Sequence, residues 1–382
     1  MTGQRIAAIA GVAESDLGDV SPKTALQLQA ESARDALRDA GLTLRDVDGL
    51  FTAGGDAYAP SMLLGEYLKI EPRYTDSTNI GGSSFVAHAA HAFAAIEQGL
   101  CEVALISYGS TQRSQRSRSL GRAGGIRGTE QFERIWGLPL PVGAYALAAR
   151  RHMHEFGTTA EQLAEVAVAT RAWAHLNPRA FMRDPITVAD VLGSRFIADP
   201  LHLLDCCLVT DGGGAVVVVS AARARDLAKP PVWILGHGEA HTHLGITNMP
   251  DLTVSPAAQS GRRAFEMAAI SPSEIDVAEL YDSFTITVLL TLEALGFCGR
   301  GESGAFVSGQ RTGPGGEFPM NTNGGGLSYC HPGMYGIFTL IEATRQLRGE
   351  CGERQVEGAR LAVANGTGGV LSSAATLVLA GD

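Results

Sequence analysis

Two stretches of this chain repeat one plan at a constant offset of 228 residues, from Asp48 to Asp276. The first runs Ala36-Leu-Arg-Asp-Ala-Gly-Leu-Thr-Leu-Arg-Asp-Val-Asp48, and the second Ala264-Phe-Glu-Met-Ala-Ala-Ile-Ser-Pro-Ser-Glu-Ile-Asp276. Each reads as the end of an amphipathic helix, a turn, and a short helical step into a strand. Ala36 matches Ala264, Ala40 matches Ala268, and Leu42 matches Ile270. A coarser echo follows in the same order. Asn79-Ile-Gly-Gly-Ser-Ser enters an alanine-rich helix from Val86 to Gln98 and then the strand Val103-Ala-Leu-Ile-Ser. Asn323-Gly-Gly-Gly-Leu-Ser enters a helix through Tyr335 to Leu347 and then the strand Leu361-Ala-Val-Ala. Apolar strands alternating with helices predict α/β layers, and the repetition predicts duplicated halves packed together.

The length of 382 residues agrees, since a single minimal core does not grow so large. Hydrophobic residues make up 45% and charged residues 18%, the balance of a packed globular chain. A net charge of −10 argues against nucleic acid as a general partner. No run of about 20 apolar residues is present to span a bilayer; Gly214-Ala-Val-Val-Val-Val-Ser220 has strand length, as has Ile6–Val12 near the start. The opening residues lack the apolar region and cleavage site of a signal peptide. The six cysteines, Cys101, Cys206, Cys207, Cys298, Cys330 and Cys351, contain no C-x-x-C pair. A reduced, cytoplasmic protein without zinc or disulfides is therefore expected.

Residues 113–204 differ from both halves. Arg113, Arg116, Arg118, Arg122, Arg127 and Arg134 lie in one glycine- and serine-rich stretch, either a solvated loop or a phosphate-binding face. A helical stretch from Tyr145 to Trp173 and an Asn177-Pro-Arg turn follow. The expected division is an N-terminal half of residues 1–112 and 205–228, an inserted loop region of 113–204, and a C-terminal half of 229–382.

Asn79–Gly99, Thr210-Asp-Gly-Gly-Gly-Ala215, Tyr281-Asp-Ser-Phe-Thr285, Asn323–Gly336 and Asn365-Gly-Thr-Gly-Gly369, in this order and spacing, resemble the thiolase superfamily. The nearest pattern is that of the sterol-carrier-type thiolases and the aldolases related to them. The resemblance covers nearly the whole chain. It implies the thiolase fold: duplicated βαβαβαββ halves forming five αβαβα layers, an inserted loop region, and a homodimer. It also implies that the acyl-accepting cysteine of thiolases falls at Gly82 and the second cysteine near Gly366, where this chain has none. A thiolase needs a low-pKa thiolate at a helix N-terminus. Ser83 and Ser84 stand close by, but a serine needs an adjacent base.

By the same resemblance His331-Pro332 matches the family's His-Pro motif, whose imidazole binds the thioester oxygen. Tyr281-Asp282-Ser-Phe replaces the Asn-Glu-Ala-Phe motif, and Gly82, Gly366 and Gly368 offer backbone N–H groups to an oxyanion. The pattern without cysteine is similar to the acyl-CoA aldolases of sterol side-chain degradation. Retro-aldol cleavage of a β-hydroxyacyl-CoA never acylates the enzyme. It needs a base, an enolate hole and a donor that reprotonates carbon. Tyr281 and Tyr329 are the expected proton-transfer pair, with His331 on the thioester oxygen, and a tyrosine base requires a pKa well below about 10. Cys330, Ser83 and Asp282 are secondary candidates. Coenzyme A enters as part of the substrate, with no covalently bound cofactor, and the inserted arginines are expected to meet its phosphates. Family members often associate with a small OB-fold and zinc-ribbon acyl-CoA-binding protein. Acyl transfer through Ser83 or Cys330, and acyl-CoA or lipid binding without turnover, remain alternatives.

Other clusters carry weaker signals. His237-Gly-Glu239-Ala-His241-Thr-His243 places His241 and His243 on one strand face, without the further ligands of a metal signature. His152 and His154 read as solvated or packed, and His88 and His91 as core histidines. Leu204-Asp-Cys-Cys-Leu reads as a strand with Cys206 and Cys207 as small packers.

Overall fold

The computed structural model describes residues 5–54, 58–115, 130–139, 141–227 and 229–382. The first half consists of β1 (Ala7–Glu14), α1 (Ala25–Asp39), β2 (Gly49–Phe51), α2 (Pro60–Leu68), β3 (Tyr74–Asp76), α3 (Ser84–Glu97) and β4 (Val103–Ser110). The chain then leaves the sheet through α4 (Glu130–Arg134), α5 (Val142–Phe156), α6 (Ala160–Leu176), α7 (Val188–Gly193) and the small pair β5 (Phe196–Ala198) and β6 (Leu201–His202). It returns as β7 (Gly212–Ser220), antiparallel to β4, and passes through α8 (Ala221–Ala224). The second half consists of β8 (Val232–His241), α9 (Ala257–Ala268), β9 (Val277–Leu280), α10 (Thr285–Leu295), α11 (Ser303–Val307), α12 (Gly336–Arg348), β10 (Leu361–Gly368) and β11 (Ser373–Ala380).

The strands form one ladder in the order β3-β2-β4-β7-β1-β8-β11-β10-β9. Its centre is a mirror: β1 and β8 meet edge to edge through Ala8–Trp233 and Ile9–Val232, and equivalent strands follow on either side. The fifth strand of the second half shrinks to one parallel bridge between Ala278 and Met320. Helices α3 and α12 touch each other and strands of both halves, while α1 covers β1, β7 and β4 and α9 covers β8 and β11. This is the five-layered arrangement of the thiolase fold.

The internal echo has a physical cause. A Cβ on Gly11 of β1 would lie 2.1 Å from the Ala36 carbonyl and 2.9 Å from Ala40 Cβ. A Cβ on Gly236 of β8 would lie 2.1 Å from the Ala264 carbonyl and 3.0 Å from Ala268 Cβ. In each half a strand glycine therefore presses against one helix turn, at the carbonyl of the first alanine and the Cβ of the second, which excludes a side chain at the glycine and a larger one at Ala40 or Ala268. The paired aspartates do one job as well. Asp48 accepts the amides of Glu102 and Val103 where β4 begins, and Asp276 accepts those of Arg360 and Leu361 where β10 begins.

Two local expectations are corrected. The helix foreseen from Tyr145 to Trp173 is two helices, because Gly157 ends α5 at φ 74° and Thr159 starts α6 with a capping box to Gln162. Leu204-Asp-Cys-Cys-Leu is a turn rather than a strand: Leu203–Asp205 is 3₁₀, Asp205 accepts the His202 amide at 2.9 Å, and Cys206 makes a single bridge to Phe284.

Candidate active site

Tyr281 follows the last residue of β9, and its amide donates to the Asn365 carbonyl at 3.0 Å, which seats it beside β10. Opposite lies the 3₁₀ turn Gly81–Ser83 that leads into α3. An added Cβ on Gly82 would stand 2.0 Å from Tyr281 Cε1, 2.8 Å from its Cζ and 2.5 Å from the Thr367 carbonyl oxygen. The phenol ring fills the volume that any side chain at position 82 would need. Its hydroxyl lies 2.8 Å from His331 Nε2 and 3.3 Å from the Gly333 carbonyl. Tyr335 packs edge-on against the Tyr281 ring at 5.5 Å, and its own hydroxyl is engaged by Asn323 Oδ1 at 2.8 Å.

Burial sets the protonation states. It lowers the His331 pKa to about 4, so the imidazole is neutral at pH 7. Burial, with Cys207, Tyr145 and Tyr108 nearby, raises the Tyr281 pKa well above 10, and no cation among the described residues brings it down. The expected low-pKa phenolate base is not what the described surroundings favour, since burial raises the phenol and no described residue offsets it with positive charge. What the geometry offers is a neutral phenol hydrogen-bonded to a neutral imidazole.

His331 is held by its backbone. Its amide donates to Thr210 Oγ1 at 3.0 Å, and its carbonyl accepts the Thr210 amide at 3.2 Å. Tyr108 donates to the Pro332 carbonyl at 2.6 Å. Just upstream, Gly325–Tyr329 forms a single π turn, entered through Gly324 and Gly325 at φ 102° and 59°. Asp282 grips this turn, Oδ1 accepting from the Gly326 amide at 2.6 Å and Oδ2 from the Leu327 amide at 3.2 Å. Burial raises the Asp282 pKa to about 7 in spite of these two donors. Gly325 is obligatory here, since a Cβ would fall 2.0 Å from Asp282 Oδ2.

Tyr329 does not join the Tyr281–His331 pair. The π turn ends at Tyr329 and directs its ring into the core, where the hydroxyl donates to Glu14 Oε1 at 2.8 Å. Burial works against the Glu14 carboxylate, yet Arg345, bonded to both its oxygens at 2.6 Å, and Arg179 at 3.1 Å hold its pKa down to about 2. Cys330 is fully buried, and burial raises its thiol well above 9, which opposes a thiolate. Ser83 Oγ is spent on the Ile80 carbonyl at 2.9 Å and Ser373 Oγ at 2.8 Å, with no base beside it. Gly366 and Gly368 face the same seam: their added Cβ atoms would stand 2.9 Å from Ser83 Cα and 1.8 Å from the Ile80 carbonyl oxygen. Close approach of β10 to the start of α3 thus accounts for both glycines.

Of the inserted arginines, Arg116, Arg118, Arg122 and Arg127 lie outside the described residues, and so does the Arg134 side chain. Arg113 lies 3.5 Å from Asp19 and covers the Phe181 ring at 4.9 Å. Among the described residues no group of three or more His, Cys, Asp or Glu side chains could hold a metal ion. Sequence reasoning missed the use made of Glu239: it binds His241 at 2.6 Å and, across the two halves, His91 at 2.9 Å, while His91 also binds Asp76 at 2.6 Å. These two carboxylates raise the His91 pKa to about 9. His152 is buried between Thr158 at 2.7 Å and Glu293 at 3.0 Å.

Known proteins share this architecture. The sequence profile described as thiolase C-terminal domain-like matches residues 238–381. A steroid side-chain-cleaving aldolase of Thermomonospora curvata is 37% identical, with 95% of each chain covered. The chain belongs to the thiolase superfamily. Within the superfamily, a 17-hydroxy-3-oxo-4-pregnene-20-carboxyl-CoA lyase of Mycobacterium tuberculosis is 38% identical over 91% of this chain and 92% of the relative. A solved structure described as an Ltp2-ChsH2(DUF35) aldolase superposes with a TM-score of 0.89 and 34% identity, covering 99% of this chain and 98% of that one. Among the described residues of this thiolase-superfamily chain, no helix is long and apolar enough to cross a membrane.

Proposed function

We propose that this chain is an acyl-CoA aldolase that cleaves a β-hydroxyacyl-CoA by a retro-aldol reaction, with Tyr281 and His331 as the proton relay. One observation carries the reading: the Tyr281 ring occupies the space of a nucleophile at position 82 and sets its hydroxyl 2.8 Å from His331 Nε2. With the imidazole neutral and protonated on Nδ1, Tyr281 passes its proton to Nε2 as its oxygen takes the β-hydroxyl proton of the substrate. The electron pair of that O–H bond becomes the ketone carbonyl, and the Cα–Cβ bond breaks. Its electrons pass to Cα as a thioester enolate. The same relay, run backwards, returns the proton to Cα. A concerted transfer suits a phenol whose pKa is raised, because free phenolate never accumulates. Backbone N–H groups at Gly82, Gly366 and Gly368 are the proposed oxyanion donors, and Asp282 positions the turn before His331.

The likeness to relatives named for steroid side-chain cleavage and for a pregnene-carboxyl-CoA supports a steroid CoA thioester as substrate. The likeness to the solved structure described as an Ltp2-ChsH2(DUF35) aldolase supports a DUF35-type partner. A homodimer, and arginines of the 113–134 segment on the CoA phosphates, complete the proposal. The test is to co-express the chain with a DUF35-type neighbour and incubate it with β-hydroxyacyl-CoA thioesters of steroid side chains. The expected products are a ketone and a shortened acyl-CoA, with intact-protein mass unchanged throughout. A covalent acyl adduct on Ser83 or Cys330, or no cleavage of any such thioester, refutes the reading.

A further inference from the structure

Helix α6 of the inserted region meets the turn before His331 with Arg171 and Ala174, one turn apart on the helix, and with Asn177, which caps its C-terminus in an extended conformation. Ala174 sits so close that a Cβ on Gly324 would fall 2.6 Å from its own Cβ. Asn177 Nδ2 donates to the Asn323 carbonyl at 2.8 Å, and Arg171 Nε donates to Ser328 Oγ at 2.8 Å. Behind α6, the amides of Phe181 and Met182 donate to the carbonyls of Tyr329 and Ser328 at 3.0 and 2.9 Å.

Arg171 is the unusual member. It is only 3% exposed, and its resolved partners are a hydroxyl and the Asp184 carbonyl at 3.0 Å rather than a carboxylate. Burial lowers its pKa and the charge of Asp184 only partly offsets that, so a smaller apolar residue would serve packing alone at lower cost. What the guanidinium supplies instead is a rigid fork that ties the inserted helix to Ser328 in one direction.

The opposite side of the same turn rests on Asp282 through the Gly326 and Leu327 amides. Gly326 backs directly onto the imidazole: a Cβ there would lie 3.2 Å from His331 Cδ2 and 3.2 Å from Asp282 Oδ1. Any slackening of the turn at Ser328 therefore reaches the ring of His331 through Gly326.

We infer that Arg171 is a positioning residue: it acts through Ser328 to clamp the turn against Asp282 and so fixes His331 beneath the Tyr281 hydroxyl. Through this clamp the inserted region takes part in setting the relay. The inference rests on the proposed relay for its effect on turnover, while its structural arm stands apart from activity.

The test uses the full chain with Arg171→Met, Arg171→Lys and Ser328→Ala. Hydrogen exchange is read at the Gly326 and Leu327 amides against the β7 amides, along with the His331 imidazole signals by NMR. Arg171→Met and Ser328→Ala are expected to speed exchange at 326–327 by about tenfold with β7 unchanged, and to shift or broaden the His331 signals. Arg171→Lys, which keeps the charge but not the fork, behaves like Arg171→Met. With a cleavable thioester, kcat falls about tenfold while KM changes less than about twofold. Equal acceleration at β7 would mean plain loss of stability, and wild-type exchange at 326–327 would mean no clamp; each overturns the inference. If the wild-type chain cleaves no thioester, the relay fails, and the exchange and imidazole signals still decide the clamp.

Discussion

Replacing Gly82 by alanine tests the geometry on which the proposed chemistry depends. The new methyl would meet Tyr281 Cε1 at 2.0 Å and the Thr367 carbonyl at 2.5 Å, both far inside contact distance. Restoring an ordinary contact near 3.4 Å requires the ring to retreat by about 1.4 Å, and the ring is held by His331, Gly333 and Tyr335. Overpacking of this kind costs about 1–3 kcal/mol. A displacement above 1 Å at a reacting group lowers turnover about a hundredfold. Urea midpoints and thioester-cleavage kinetics on Gly82→Ala read both effects. The clash with Thr367 is common to every background, so it cancels in a cycle with Tyr281→Ala. The coupling that remains, about 1 kcal/mol or more, belongs to the ring. Wild-type stability and cleavage in Gly82→Ala would show that the phenol does not fill that volume, and the relay built on it would fall.

Tyr281→Phe keeps the ring and loses the hydroxyl, so cleavage is expected to drop at least about tenfold at an unchanged urea midpoint; normal turnover would remove Tyr281 from the relay. The folded pKa of His91, near 9, lies above the 6.5 of an ordinary histidine. Its contribution to stability is therefore fully present below pH 6.5 and lost as pH rises through about 9, and urea midpoints of His91→Gln should lack that falling limb. Glu14→Gln leaves Arg345 and Arg179 without their carboxylate, a loss of about 3–5 kcal/mol by analogy with other broken buried pairs, read as a lowered urea midpoint. An unchanged midpoint would make the cluster energetically idle.

Much of the fold was legible because its causes are local and repeated. Ala36 and Ala40 echo Ala264 and Ala268 because each pair receives a strand glycine, and Asp48 echoes Asp276 because each clamps two amides. Tyr281 and His331 stood out as candidates because both lie inside recognisable motifs, but the sequence paired Tyr281 with Tyr329 and gave His331 the thioester oxygen; that the phenol and the imidazole meet shows only in the fold. The direction of Tyr329 was not. It depends on one π turn set by two left-handed glycines, and on a carboxylate 315 residues away. The grip of Asp282 on Gly326 and Leu327 was hidden for the same reason, since backbone donors leave no mark in side-chain patterns. The protonation states were out of reach too, because burial fixes them and no spacing rule reports it.

The contact between Gly82 and Tyr281 makes two chemistries mutually exclusive. A side chain at 82 and the Tyr281 ring in this pose cannot share the volume, so one chain of this fold cannot hold a nucleophile at 82 and the relay at once. With the ring seated, a cysteine introduced at 82 meets Tyr281 and the Thr367 carbonyl well inside contact distance, so a thiol nucleophile there also requires a change at Tyr281.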